Sequence, residues 1–325
     1  MDRREFIQQS MVGATALSVL SFRGGVPVRA DVNAPGEPCQ TDNQAGSALT
    51  TGDVHNYLRS LGAEWVQANN TVDTFKAGGP GFTVQGIAVG WMSYFGSLRK
   101  ARELGCNLFI THEPTYYDHR DRDESVFSFA AARMKREFIG RSGLTIIRCH
   151  DVWDRVPEIG IRDAWARFLG LETEIEARIT TDQSRGRPFC GVYEITPVEA
   201  GTLARRVAGK VATLGQDSVL FIGPERKLVS SVAVGTGAIT PFRQMVEDLK
   251  ADVVICTDDG FSFWRDGSLA IDMEYPVIIV NHPCSEEVGM RKLAEHLSEK
   301  FPQISVHHIA QTCMFRSVPS RRGLL

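Results

Sequence analysis

Apolar and polar positions alternate between two periods along most of the chain. Short runs such as TVQGIAVG (83–90), CNLFIT (106–111) and LTIIRCH (144–150) are nearly continuous in Val, Ile, Leu and Phe, the pattern of strands buried on both faces. Between them, YFGSLRKARELG (94–105), SVFSFAAARMKREFIGRSG (125–143) and IGIRDAWARFLG (159–170) repeat apolar residues at helical spacing and close on glycine. The second half continues in the same style. PFCGVYEI (188–195), SVLFIG (218–223), LVSSVAVGTG (228–237), ADVVICT (251–257), PVIIVN (276–281) and ISVHHI (304–309) read as strands, and 197–215, 239–250 and 285–301 as helices. Strands alternating with helices predict an α/β fold with largely parallel sheets.

Polar, glycine-rich sequence marks the boundaries. Residues 31–52 are rich in Gly, Pro, Ser, Asn and Asp and read as a flexible linker; a second such stretch near 175–187 divides the α/β region 53–310 into two lobes. The expected lobes are 53–178 plus 270–310, and 187–268, with a tail at 311–325. The first thirty residues are of another kind. Arg3 and Arg4 precede Phe6 and Ile7, an apolar run extends from Met11 to Phe22, and VPVRA places Val28 and Ala30 where a signal peptidase needs small residues. The run is shorter than the roughly 20 residues that span a bilayer. The pattern predicts a twin-arginine-type signal at 1–30, cleavage after Ala30, a periplasmic destination and no transmembrane anchor.

Composition narrows the partners. The 325 residues are 43% hydrophobic and 23% charged with a net charge of −3 and no basic run in the body, which argues against a nucleic-acid partner. Seven cysteines are scattered singly without a CxxC. Some could pair in an exported chain, but the odd count and the strand positions of Cys106 and Cys149 favour buried thiols.

Three of the strands end in histidine. LFIT leads to His112-Glu113-Pro114, LTIIRC to His150-Asp151-Val152-Trp153-Asp154, and PVIIVN to His282-Pro283-Cys284-Ser285-Glu286. Ligands gather beyond the carboxyl ends of parallel strands, so three such ends bring imidazoles and carboxylates together, a nitrogen and oxygen donor set suited to divalent transition metals. Ser285 reads as the N-cap of the helix that follows, with Glu286 in its first turn and His282 left at the strand end. Any one of these histidines alone is ordinary, and Glu286 alone is a helix-dipole acid; the coincidence of three ends carries the reading.

The segments THEP, CHDVWDRVPEIGIRDAWARFLGL and HPCSE together resemble the Nif-three-like family, in the same order over residues 53–310. The resemblance implies a two-lobed fold with a dinuclear metal centre between the lobes, a toroidal homo-hexamer, and the label of a type 2 GTP cyclohydrolase I. Matched by motif, it implies the metal ligands His112, Glu113, Asp154, His282 and Glu286. Where the family has His-His-Pro, this chain has His112-Glu113-Pro114, a more oxygen-rich set that either shifts preference toward manganese or iron over zinc or leaves only one ion bound.

The resulting expectation is an exported metal-dependent hydrolase with two divalent ions (zinc, iron or manganese). Its small-molecule substrate is a phosphoester, a nucleotide or a cyclic amide, and His150 moves protons. A non-catalytic metal-binding or scaffold protein is the alternative. Weaker signals rank below. Gly235-Thr236-Gly237 reads as turn chemistry ahead of a phosphate cradle, and Asp151 and Asp118 as supporting or general-base groups. Tyr116 and Tyr117 read as pocket lining or loop packing, and His307 and His308 as structural residues with no carboxylate partner nearby.

Overall fold

The computed structural model describes residues 48–176 and 188–318. The signal expected at 1–30, residues 31–47 of the expected linker, most of the expected 175–187 boundary and the end of the expected 311–325 tail lie outside them.

The first sheet contains β1 (Phe75–Ala77), β2 (Gly86–Gly90), β3 (Leu108–Thr111), β4 (Thr145–Arg148) and β11 (Ser305–His308) in the order β1-β4-β3-β2-β11. Only β1 is antiparallel, a lone edge strand. The register holds Gly90 opposite Thr111 and Thr111 opposite Arg148, so β2, β3 and β4 end level. The second sheet has the order β5-β6-β8-β9-β10-β7, from β5 (Thr173–Glu176), β6 (Gly191–Glu199), β7 (Leu220–Ile222), β8 (Leu228–Val234), β9 (Val253–Thr257) and β10 (Val277–Val280). Its centre, β8-β9-β10, is parallel and is flanked by antiparallel strands.

Helices cover both sheets because the strands are apolar on both faces. On one face of the first sheet Ile87, Val89, Leu108, Ile110 and Ile147 pack with α1 (Thr51–Leu61) and the far half of α8 (His282–Lys300). On the other face Ala88, Phe109 and Ile146 meet α2 (Phe95–Glu103) and α3 (Ala130–Ser142). The second sheet packs Val232, Val234, Ile255 and Ile278 against α4 (Ile161–Leu169) and α5 (Ala200–Ala212). Its reverse face packs Val254 and Ile279 against α6 (Phe242–Glu247) and α7 (Ser268–Asp272). Each such aliphatic side chain, fully buried, contributes about 1.5–3 kcal/mol.

Several expectations are corrected. Residues 50–52 are not linker: Thr50 caps α1 through a reciprocal pair with Asp53, and Thr51 and Gly52 are buried. The helix expected over 125–143 is a one-turn 3-10 segment (Glu124–Ser128) and α3, separated by extended Phe129. Strand β6 runs on to Glu199, so α5 starts three residues late. The strand PVIIVN joins the second sheet, where β9 offers a parallel edge, and so the 270–310 segment does not belong to the first lobe as a block. Ser285 is not an N-cap. Asn281 holds that position and Pro283 sits in the first turn, where its fixed φ and missing N–H suit a helix start. Helix α8 therefore begins at His282, and every residue from His282 to Met290 is buried.

Candidate metal centre

The carboxyl ends of β3, β4 and β10 meet between the two sheets. At the end of β3 the chain is pinned by one carbonyl: Trp91 O accepts from His112 N at 3.0 Å and from Glu113 N at 2.9 Å. Thr111 Oγ1 donates to Glu113 O at 3.0 Å and holds the turn before Pro114 ends the ladder. His112 has no exposed surface, and its Nδ1 is 3.1 Å from Cys149 O. A carbonyl can only accept, so Nδ1 carries a hydrogen and Nε2 is left to face the site.

At the end of β4 the buried Asp73 carboxylate takes three backbone N–H groups, from His150 (2.6 Å), Asp151 (3.1 Å) and Val152 (2.8 Å). This folds the next turn so that Asp154, in the 3-10 segment Trp153–Arg155, points back at His112. Its Oδ1 is 3.2 Å from His112 Nε2. His150 stacks on His112 with ring centres 4.5 Å apart, and its Nδ1 lies 2.9 Å from Asp151 Oδ1.

At the end of β10, α8 presents His282, its first residue, and Glu286, one helical turn further on and so past the first turn where it was expected, to the same space. Asp258 Oδ1 accepts from His282 N at 2.9 Å, and Asp259 Oδ2 is 2.9 Å from His282 Nδ1, so here too Nε2 is the inward atom. Glu286 Oε2 lies 3.0 Å from His282 Nε2, 3.5 Å from His112 Nε2 and 2.6 Å from the Trp91 indole nitrogen, which donates to it.

Glu113 completes the arc. Its Oε1 is 3.5 Å from His282 Nε2 and 3.8 Å from His150 Nε2, while its Oε2 is 3.4 Å from the Arg148 guanidinium. Arg148 is fully buried behind the site and also donates to His112 O at 2.7 Å and to His119 O. Glu113 thus has a built-in counter-charge, and one oxygen facing inward.

Among the described residues, three groups of side chains could each hold a metal ion: His112, Asp154 and Glu286; Glu113, His282 and Glu286; and His112, Glu113 and His150, the ligand atoms of each within 4.8 Å of one another. The donor set fits. His112 Nε2 and His282 Nε2 are buried and make no aligned hydrogen bond, although both rings are anchored through Nδ1, the arrangement by which proteins orient metal-ligating histidines. Electrostatics agree. Burial opposes charge on His112, yet Glu286 and Asp154 raise its pKa, and burial of His282 is likewise outweighed by Glu286 and Asp259. For His150, burial is overcome by Asp154, Asp151 and Glu113, and its pKa is pushed up to about 10. Burial would raise Glu286, but His282 and His112 hold it down to about 2. Without a cation, the carboxylates draw protons onto the histidines; an ion would take the place of those protons.

All six residues expected at the site, His112, Glu113, His150, Asp154, His282 and Glu286, are brought together. Asp118 is not among them: it caps its own loop, accepting from Arg122 N at 2.9 Å and Asp123 N at 3.3 Å. Tyr116 is core, while exposed Tyr117, at φ 67, lies under the Lys135 ammonium. The Gly235-Thr236-Gly237 turn does not open a helix, since α6 starts only at Phe242. It forms a wall of the site: at φ 52, Gly237 approaches so closely that a Cβ would collide with Glu286 Oε1 and sit 3.0 Å from His282 Nε2. His308 does have a carboxylate partner, with Nε2 3.0 Å from Glu287 Oε1, which α8 brings across from the second sheet.

Trp91, Arg148, Asp73, Asp258 and Asp259 were not singled out in the sequence. Asp258 and Asp259 had a signal, because they follow β9 just as the histidines follow their strands; Trp91 likewise follows β2. Arg148 and Asp73 had none, being single charges in otherwise apolar or loop sequence.

The family model described as Duf34/NIF3 (NGG1p interacting factor 3) matches residues 76–314. Among solved structures, a Bacillus cereus protein related to NIF3 is 12% identical with a TM-score of 0.66, over 86% of this chain and 100% of that one. A Staphylococcus aureus hypothetical protein is 16% identical with a TM-score of 0.65, over 86% and 99%. The reduced form of HcgD from Methanocaldococcus jannaschii is 15% identical with a TM-score of 0.62, over 80% and 97%. At these identities the likeness establishes the fold. No curated protein matches the chain.

Proposed function

We propose that this chain, which belongs to the Duf34/NIF3 family, is an exported metal-dependent hydrolase built on a dinuclear divalent-metal site. The observation that carries the reading is the pair of anchored histidines whose inward nitrogens have no aligned hydrogen bond and face shared carboxylates. His112 and Asp154 would hold one ion, His282 and Glu113 the other, and Glu286, common to both groups, would bridge them.

When bound, such a pair of ions acidifies water and polarises the oxygen of a scissile group. The chain's own residues do the rest. Arg148 keeps one oxygen of Glu113 turned away, so the carboxylate presents a single oxygen to the site. Trp91 fixes Glu286 Oε2, and its ring meets His282 edge-on at 5.2 Å, which excludes water from that side. His150 is seated on Asp151 and accepts or returns a proton at Nε2, the atom that faces Glu113. The substrate class we assign is a phosphoester, a nucleotide or a cyclic amide, the last in keeping with the cyclohydrolase label of the resemblance. The oxygen-rich donor set favours manganese or iron over zinc.

Export rests on the twin-arginine pattern of residues 1–30, and a homo-hexamer on the family resemblance. No helix among the described residues is long and apolar enough to cross a membrane.

A second reading, a non-catalytic metal-binding or scaffold protein, is favoured by enclosure. His112, Asp154, His282 and Glu286 are each less than a tenth exposed, as in structural rather than open catalytic sites. Metal analysis of untagged protein, with hydrolysis assays on the three substrate classes before and after chelation, separates the readings. Bound metal with chelator-sensitive turnover supports the hydrolase; bound metal without turnover supports the scaffold. No bound metal in wild type, or unchanged metal in Glu113→Ala, overturns the dinuclear site. Sizing by analytical ultracentrifugation and N-terminal sequencing of secreted material test the hexamer and the cleavage after Ala30.

A further inference from the structure

Two cysteines outside the ligand set meet where the chain's last described segment crosses α8. Cys284 is buried in the first turn of that helix, and Cys313 is half-buried in the segment after β11. Both are tied to one carbonyl: Cys284 Sγ lies 3.8 Å from Leu214 O, and Cys313 N donates to the same oxygen at 3.0 Å. The next residue fixes the register, because Met314 N donates at 2.8 Å to the side-chain oxygen of Asn281, the N-cap of α8. Cys313 packs on the apolar cluster that contains Cys284, where burial and then the neighbouring Cys313 thiol push the Cys284 thiol well above its ordinary range.

The segment they would secure is a strap between the sheets. Ile309 N donates to Val89 O at 2.8 Å in the first sheet. Gln311 accepts from Met92 N at 2.8 Å, donates to Ser97 Oγ at 2.8 Å, and its backbone N–H reaches Glu287 Oε1 at 3.0 Å. Cys313 then docks on Leu214 beside the second sheet. Gln311 Nε2 also donates to Met92 O, so the first-sheet end is doubly held, while the Cys313 end rests on single backbone hydrogen bonds.

We propose that Cys284 and Cys313 form a disulfide when the protein meets a thiol–disulfide oxidant such as oxidised glutathione, and that this bond staples the strap to the helix bearing His282 and Glu286. The half-exposed Cys313 thiolate attacks one sulfur of the oxidant and expels one glutathione thiolate. Cys284 then attacks Cys313 Sγ, forming the internal S–S bond and expelling the second. The two protons lost by the cysteines go to the two departing thiolates; the protein dithiol is oxidised and one glutathione disulfide becomes two glutathiones. Cys190 and Cys256 are also neighbours, but neither has any exposed surface, so they serve as an internal control that stays reduced.

The test is full-length protein incubated with oxidised glutathione, alkylated under denaturing conditions, digested and mapped by mass spectrometry. The expected product is a Cys284–Cys313 cross-linked peptide, lighter by two hydrogens than the separate peptides, with Cys190 and Cys256 alkylated. For a closed loop of about 30 residues the oxidised form should melt roughly 5–10 °C above the reduced form, a shift that Cys313→Ser abolishes. Cys313 is half-exposed, so the variant is expected to fold, with circular dichroism as the check, and its reduced form should melt close to reduced wild type. A stable glutathione adduct on Cys313, a cross-link to any other cysteine, or equal melting of oxidised wild type and oxidised Cys313→Ser would overturn the proposal.

Discussion

Glu286→Gln separates a bridged pair of ions from two independent sites. The substitution keeps the shape of the side chain and removes its charge from a cluster in which Oε2 lies 3.0 Å from His282 Nε2 and 3.5 Å from His112 Nε2. At an effective dielectric of about 20, each contact of unit charges at these distances is worth about 5 kcal/mol before desolvation is counted. The net cost of breaking such a buried cluster is about 3–5 kcal/mol. For metal binding the asymmetry is larger. Glu286 belongs to both the His112–Asp154 group and the Glu113–His282 group, whereas Asp154 and Glu113 each belong to one of these two. Glu286→Gln should therefore lose both ions, while Asp154→Asn and Glu113→Gln should each keep one. The assay is metal-to-protein stoichiometry by plasma mass spectrometry after dialysis against a defined divalent ion, with circular dichroism to confirm the fold. If Glu286→Gln retains two ions, or Asp154→Asn empties the site as fully, the bridging assignment is wrong.

Three more outcomes follow from the same geometry. Gly237→Ala places a methyl group against Glu286 and His282 at φ 52, and should weaken metal affinity at least tenfold by titration calorimetry while leaving the far-ultraviolet spectrum unchanged. Affinity within twofold of wild type would refute the wall assignment. Arg148→Met leaves Glu113 and the carbonyls of His112 and His119 without their donor, and should cost about 3–5 kcal/mol in urea unfolding; a loss under 1 kcal/mol would show that the buried guanidinium is dispensable. Burial lowers the Lys135 pKa from 10.5 to about 8, although Asp121 opposes the shift. Between those values the unfolded chain binds more protons, so stability rises with pH there, by at most about 3 kcal/mol, and falls back as pH drops through 8. Lys135→Met should flatten that slope, and matching slopes in the two proteins would remove Lys135 as its source.

The sequence by itself determined what is local. Apolar runs bounded by glycine and polar turns located nine of the eleven described strands and most helices, because a strand buried on both faces must be apolar throughout and its ends must be polar; the short edge strands β1 and β5 carry no such run. The three strand-end histidines were legible for the same reason: an imidazole and a carboxylate just past such a run have nowhere to go but the rim of the sheet. Local rules failed where two of them competed, as at Ser285, a good cap that lost to Asn281 followed by Pro283. What only the tertiary structure decided is which rims meet. PVIIVN carries no mark of its sheet, and it is the parallel pairing of β10 with β9, with α8 running back over the first sheet, that sets His282 and Glu286 opposite His112 and Asp154. The Asp73 carboxylate that folds the His150 turn, the Arg148 charge behind Glu113, and the close approach of Gly237 all come from residues far away in the chain. Charge pairing and steric contact act through space over a few ångströms, and sequence spacing records such distances only within a single element.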